Sequence, residues 1–150
     1  MKRYLAGPAI LVCLSFGAPA ASLQLKDLPA AVQKTVQDNL KGGEIKNISK
    51  EKEKGVTQYE VETIVNGKHR DIEVDAAGKL MEVEEETDLA TVPAAAKAAI
   101  EKKVAGGKIG MVELVIGHGQ TLYEAEYTTK GGKKQEVMVK ADGTEVKEEE

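Results

Sequence analysis

The chain of 150 residues predicts an α+β fold of two tandem repeats, each one helix packed on a four-stranded antiparallel sheet. Three observations lead there. Leu25-Lys-Asp-Leu-Pro-Ala-Ala-Val32 returns as Leu89-Ala-Thr-Val-Pro-Ala-Ala-Ala96, and the same offset carries Gly42-Gly43 onto Gly106-Gly107 and Tyr59-Glu60 onto Tyr123-Glu124. Each copy opens with apolar residues on a helical period, and everything after its glycine pair alternates on a period of two. After one further turn the offset grows by one residue, matching Ile72 to Val137, Val74 to Val139 and Gly78 to Gly143. A repeat of this length is one supersecondary unit read twice.

In chain order the first element is a leader. Lys2 and Arg3, the apolar run Leu5–Phe16 and Ala18-Pro19-Ala20 have the order of a secretory signal peptide cleaved after Ala20, and the run is too short to span a bilayer. The expected organisation is therefore a leader over 1–20, a first repeat over 21–86 and a second over 87–150, in a periplasmic or secreted protein with no membrane span once the leader is removed. Cleavage takes away two basic residues and moves the formal charge from −4 to −6. It also removes Cys13 and Phe16, leaving Tyr59, Tyr123 and Tyr127 as the aromatics. A net acidic chain without cysteine argues against nucleic-acid binding, disulfides, thiol catalysis and zinc–thiolate sites.

The helix of each copy carries consistent signals. Asp27 and Thr91 stand at the expected N-cap, and Pro29 and Pro93 fall in the first turn, where a missing N–H costs nothing. Leu28, Val32, Val36 and Leu40, and again Val92, Ala96, Ile100 and Val104, form one apolar stripe. Gly42-Gly43 and Gly106-Gly107 end the helices with left-handed backbone. Helices this short are marginal alone, so the stripe must dock on the strands.

Four strands follow in each copy. The first lies near Ile45–Glu53 or Ile109–Ile116 and ends at turns around Gly55 and Gly117-His118-Gly119. Asn66-Gly67 is a two-residue hairpin signal that pairs Val65 with Lys68, 61 with 72 and 59 with 74. Strand alternation then puts Tyr59, Val61, Ile72 and Val74 on one face. The turn Asp75–Gly78 is expected to pair 74 with 79, adding Met81 and Val83 to that core face. The second copy places Tyr123, Ala125, Tyr127, Val137, Val139 and Val146 in the same way.

The opposite face of the first copy collects Glu60 beside Glu73 and Glu62 beside Asp71, and like charges in such register are destabilising. Lys46, Lys50, Lys52 and Lys79 on flanking strands are expected to offset part of that repulsion. In the second copy the face is mixed, with Glu124, Glu126, Glu136, Leu122 and Met138. A solvated, solubilising surface and a partner-binding sheet both fit this composition.

Catalytic chemistry finds no pattern here. Ser22 and Ser49 lack a nucleophile elbow and an ordered histidine and acid. His69 and His118 are isolated turn histidines, so no metal ligand set is assigned to them. The runs Glu82–Asp88 and Glu148–Glu150 lack the Asp/Asn/Gly loop that wraps calcium.

The order of cap, Leu28-Pro29-Ala30 or Val92-Pro93-Ala94, amphipathic helix, Gly-Gly, Tyr59-Glu60-Val61 or Tyr123-Glu124-Ala125, and Asp75-Ala-Ala-Gly78 or Ala141-Asp142-Gly143 resembles the PepSY and PepSY-like family, related in architecture to the tandem-repeat beta-lactamase inhibitor proteins. The resemblance covers essentially all of residues 25–150. It implies an exported bacterial domain with helices on one side of an antiparallel sheet and a non-enzymatic role in binding or restraining another protein. The inhibitor proteins use disulfides and aromatic-rich concave sheets, which the mature chain lacks, so beta-lactamase inhibition is not carried over. The expectation is a cofactor-free binding module for a protein or peptide of the cell envelope. Its contact residues are expected to be Glu60, Glu62, Asp71, Glu73, Glu124 and Met138, with no catalytic residue and no metal site. The alternative is a low-affinity cation-binding envelope protein using the acidic runs.

Overall fold

A computed structural model describes residues 23–53 and 55–146, so the expectations for the leader, Ser22 and the tail Glu148–Glu150 lie outside the described residues. The chain divides into two compact units whose boundary in sequence falls between Glu84 and Glu85. The first helix and strands are α1 (Ala30–Asn39), β1 (Glu44–Glu53), β2 (Val56–Val65), β3 (Lys68–Asp75) and β4 (Leu80–Glu86). The second set is α2 (Ala94–Val104), β5 (Lys108–Gly117), β6 (Gln120–Thr128), β7 (Lys134–Lys140) and the short β8 (Glu145–Val146). Within each set the strands neighbour one another in chain order. The two helices and eight strands are those the repeat predicts. The acidic run after Glu82 is strand as far as Glu86.

Both helices begin later than their polar residues suggest. Leu28 and Val92 are extended, with ψ of 158° and 139°, and Pro29 and Pro93 occupy the N-cap positions. A proline drives the residue before it out of helical backbone, so neither Asp27 nor Thr91 can cap the helix that follows. Asp27 instead accepts the Gln24 N–H at 3.0 Å in a 3-10 turn, and Thr91 Oγ1 donates to the Asp88 carbonyl at 2.8 Å. At the other end the first left-handed residues are Lys41 and Ala105, with glycine following each.

The apolar stripes dock as expected. Leu28, Val32 and Val36 of the first stripe meet Ile48, Tyr59, Val61, Ile72 and Val74. Val92, Ala96, Ile100 and Val104 meet Val112, Ala125, Tyr127, Val137 and Val139. The β2–β3 register is the predicted one, from Val65↔Lys68 to Tyr59↔Val74. Asn66 and Gly67 both have positive φ, 52° and 82°, as the tight hairpin requires. His118 and Gly119 repeat that conformation between β5 and β6.

Two kinds of irregularity decide which side chains share a face. A bulge between Ile45 and Asn47, repeated between Ile109 and Val112, lets two apolar residues three apart both point at the helix. The second kind corrects an expected register. The Asp75 N–H donates to the Lys79 carbonyl at 3.0 Å and the Gly78 N–H to the Asp75 carbonyl at 2.9 Å, with Gly78 at φ +88°. Lys140, Thr144 and Gly143 form the same turn. The left-handed glycine is an extra bulge residue, so Asp75 pairs with Lys79 and the next strand is shifted by one. Val146 consequently faces Met138 on the outer side. Neither Met81 nor Val83 belongs to the cluster beneath α1, although Val83 is buried.

Gly78 also packs tightly against α1. A Cβ there would stand 2.6 Å from Ala31 Cβ and 2.8 Å from its backbone, and Thr35 Oγ1 donates to the Gly78 carbonyl. Gly78→Ala is expected to cost about 2–4 kcal/mol through strain and displacement of α1. Gly67→Ala, at φ +82° with nothing within 4 Å, should cost about 1–2 kcal/mol. Urea unfolding of the two variants compares them, and equal losses would show that the helix contact contributes nothing.

Candidate functional site

The outer face of the first unit is a ladder of paired polar residues. Glu60 stands opposite Glu73, Glu62 opposite Asp71 and Gln58 opposite Asp75, as β2 and β3 run side by side. On the other flank Ser49 faces Glu60 and Asn47 faces Glu62. Asn47 Nδ2 donates to Glu62 Oε1 at 2.8 Å, and Ser49 Oγ donates to Glu60 Oε2 at 3.1 Å. Glu60, Glu62, Asp71 and Glu73 are half-buried rather than fully solvated.

Of the lysines expected to offset these acids, Lys46 and Lys50 are placed elsewhere. The β1 bulge reverses the alternation, so Asn47 and Ser49 face the carboxylates. Lys46 Nζ pairs with Glu44 Oε2 at 2.7 Å, and Lys50 Nζ sits 5.9 Å from the centroid of the Tyr59 ring. Neutral donors therefore satisfy carboxylate oxygens without cancelling their charge.

In the second unit the equivalent row is Glu113, Glu124 and Met138, with Val115 opposite Leu122 one row on. Glu124 is 7% exposed and Glu113 6%, so Glu124 is not the exposed contact expected of it. It lies on a central strand, flanked by β5 on one side and β7 on the other, where neighbouring side chains shed water from it. Met138 is half-buried beside it, and Val115 and Leu122 are buried. The six expected contact residues thus form two groups in two units: four acids in the first, Glu124 with Met138 in the second. Asn47, Ser49, Glu113 and Val115 were not anticipated. The three-residue apolar spacing Ile45/Ile48 and Ile109/Val112, which only a bulge can reconcile with one face, was the available signal.

Of the isolated polar residues, Ser49 is occupied with Glu60, and His69 and His118 are exposed beside tight turns. Arg70, which the sequence did not single out, is 4% exposed and opposes Thr63 on the helix side. Its Nε donates to the Asn39 carbonyl at 3.2 Å, satisfying the C-terminus of α1, and burial pulls the guanidinium pKa below its ordinary value. Tyr127 and Gln135 fill the same pair of positions in the second unit.

Residues 29–78 match the family model for the peptidase propeptide and YPEB domain, PepSY. The PepSY likeness rests on this third of the chain. No curated protein sequence matches it significantly. Its fold is shared with a candidate periplasmic protein of Bacteroides eggerthii, at 16% identity and TM-score 0.65, over 81% of this chain and 88% of the other. A DUF2874 family protein of Bacteroides uniformis aligns at 16% identity and TM-score 0.64, over 79% and 86%. A BLIP-like protein of Bacteroides fragilis aligns at 16% identity and TM-score 0.59, over 81% and 85%. At identities this low the structural likeness establishes a common fold alone.

Partial burial and like charge set the electrostatics of the acidic ladder. Glu60 is pushed up to about 7, first by burial and then by Asp71, Glu62 and Glu51, against the lowering effect of the Ser49 hydrogen bond. Asp71 is raised by burial and by Glu62, while a bond from the Thr63 backbone and the nearby His69 act the other way. Glu82 on β4 is pushed up to about 7 by burial and by Glu73. An acid whose folded pKa exceeds its unfolded value holds an extra proton in the folded state, so stability falls as pH rises from about 4.5 to about 7 and stays low above. The protein is expected to lose on the order of 1–2 kcal/mol between pH 5 and pH 8 from these groups. Glu60→Gln should stabilise it at pH 8 and flatten that slope, and urea titrations at the two pH values would refute the assignment if wild type and variant showed the same dependence.

Proposed function

We propose that this PepSY-like chain is an exported, non-enzymatic binding module that engages a protein or peptide partner through the sheet face turned away from its helix. The observation that carries the reading is the in-register block of Glu60, Glu62, Asp71 and Glu73. Four carboxylates are kept half-buried and opposed across two strands, where each pair opposes folding. A surface needed only for solubility would be better served by scattering those charges. Asn47 and Ser49 hold Glu62 and Glu60 in fixed orientations, so the face offers a preset pattern of acceptors. Such a pattern suits electrostatic steering and recognition of donor-rich or cationic side chains. Met138 and Glu124 are proposed as contacts of the second unit, where the smaller exposure of Glu124 makes Met138 the more accessible of the two.

The exported location is supported by the leader-like N-terminus and by a structural neighbour described as periplasmic. No described helix is long and apolar enough to cross a membrane.

Affinity capture from an envelope fraction tests the reading. Replacing Glu60, Glu62 and Glu73 by glutamine should lower recovery of the captured partner about tenfold or more while raising thermal stability at neutral pH. Undiminished capture by a stably folded triple variant would remove this face as the site. A saturable calorimetric signal with calcium that the same variant abolishes would favour the cation-binding alternative.

A further inference from the structure

One end of the second unit carries a concentration of positive charge on an otherwise acidic chain. Lys102 and Lys103 close α2, Lys108 opens β5, and Lys130, Lys133 and Lys134 surround the Gly131-Gly132 turn between β6 and β7. The fold brings these separate stretches together. Lys108 stands opposite Thr128, and Thr128 opposite Lys134, so two lysines flank one threonine in a single cross-strand row. Lys130 reaches over the link from α2 to β5: its Cε lies 2.8 Å and its Nζ 3.1 Å from where a Cβ on Gly106 would stand. All six lysines are exposed.

The hairpin tip that presents them is held by its own backbone. The Thr129 N–H donates to the Lys133 carbonyl at 2.8 Å, the Gly132 N–H to the Thr129 carbonyl at 2.9 Å, and the Lys133 N–H to Thr129 Oγ1 at 3.1 Å. Acids border the patch, and one of its six lysines, Lys103, is paired. Glu145 pairs with Lys103 at 2.6 Å, Glu101 lies 3.9 Å from Lys97, and Glu126 and Glu136 begin the next outward row of the sheet. The same positions of the first unit hold Asp38, Asn39, Glu44, Asn66, Lys68 and His69, so the patch belongs to one copy only.

We propose that this lysine-rich end docks the protein on an anionic phospholipid surface. Every cation in it is lysine, a compact and strongly hydrated charge that gains from a diffuse negative field without requiring a shaped partner. Protein interfaces concentrate energy in tryptophan, tyrosine and arginine, and the patch displays none of these. The attraction is peripheral and reversed by salt. It is independent of whatever occupies the acidic ladder.

Co-sedimentation of the chain lacking its leader with phosphatidylglycerol-containing vesicles, against phosphatidylcholine alone, provides the test. Binding is expected on the anionic vesicles only, and raised salt should release it. K130Q/K133Q/K134Q should lower the partition coefficient about a hundredfold, at about fivefold per lysine. K26Q/K34Q, in the first unit, should leave it unchanged. Should the triple variant melt at a lower temperature than wild type, K102Q/K108Q reads the same surface from the helix side, with an expected loss of about 25-fold. Equal binding to both vesicle types, no binding to either, or retention by both lysine variants would overturn the proposal, as would capture of soluble polyphosphate or DNA without vesicle binding.

Discussion

The contact between each helix and one face of its sheet is the interaction on which the rest depends. Without disulfides, tryptophan or phenylalanine in the described residues, the two clusters under α1 and α2 are the means by which short helices and twisted strands become stable. That contact imposes a parity rule: every strand must aim its apolar residues at the helix, and whatever alternates with them is forced outward. The outer faces, and therefore the candidate sites, follow from how the inner ones are satisfied.

The bulges show the rule at work. In β1 the apolar residues Ile45 and Ile48 are separated by an odd number of positions and could not share a face on a regular strand. Admitting one extra residue brings both beneath α1 and turns Asn47 and Ser49, rather than lysines, toward Glu62 and Glu60. The acidic ladder keeps its negative charge because of a packing requirement on the opposite side of the sheet. Gly143 acts similarly one strand further on, where a left-handed residue moves Val146 out of the core to stand opposite Met138.

Features set by local chemistry were readable from the residues alone. Asn66-Gly67 determines its hairpin, and with it the opposition of Glu60 to Glu73 and of Glu62 to Asp71. The stripes from Leu28 and Val92 identify the buried side of each helix. Features set by competition between local signals were not. Asp27 looks like an N-cap until the proline two residues later excludes Leu28 from helical backbone. Asp75–Gly78 reads equally as a plain turn or as a turn with a bulge, and only the backbone bonds of Asp75 to Gly78 and Lys79 distinguish them. The burial of Glu124 and the meeting of Lys108, Lys130 and Lys134 depend on three strands and a helix at once, which no window along the chain contains.

Duplication therefore leaves two copies alike in frame and unlike in chemistry. Where the first copy opposes Ser49 to Glu60, the second opposes Glu113 to Glu124. Where the first has Glu51, Gln58 and Glu73, the second has Val115, Leu122 and Met138. Asp38 and Asn39 at the helix end of the first become Lys102 and Lys103 in the second. Core positions tolerate little change because each must fill the same space beneath a helix. Outer and terminal positions carry no such demand, and a frame that folds from its inner face alone is free to vary them. That freedom lets one fold present an acceptor-rich sheet in one unit and a cationic end in the other, with the two properties separable by mutation because neither contributes to the core that supports them.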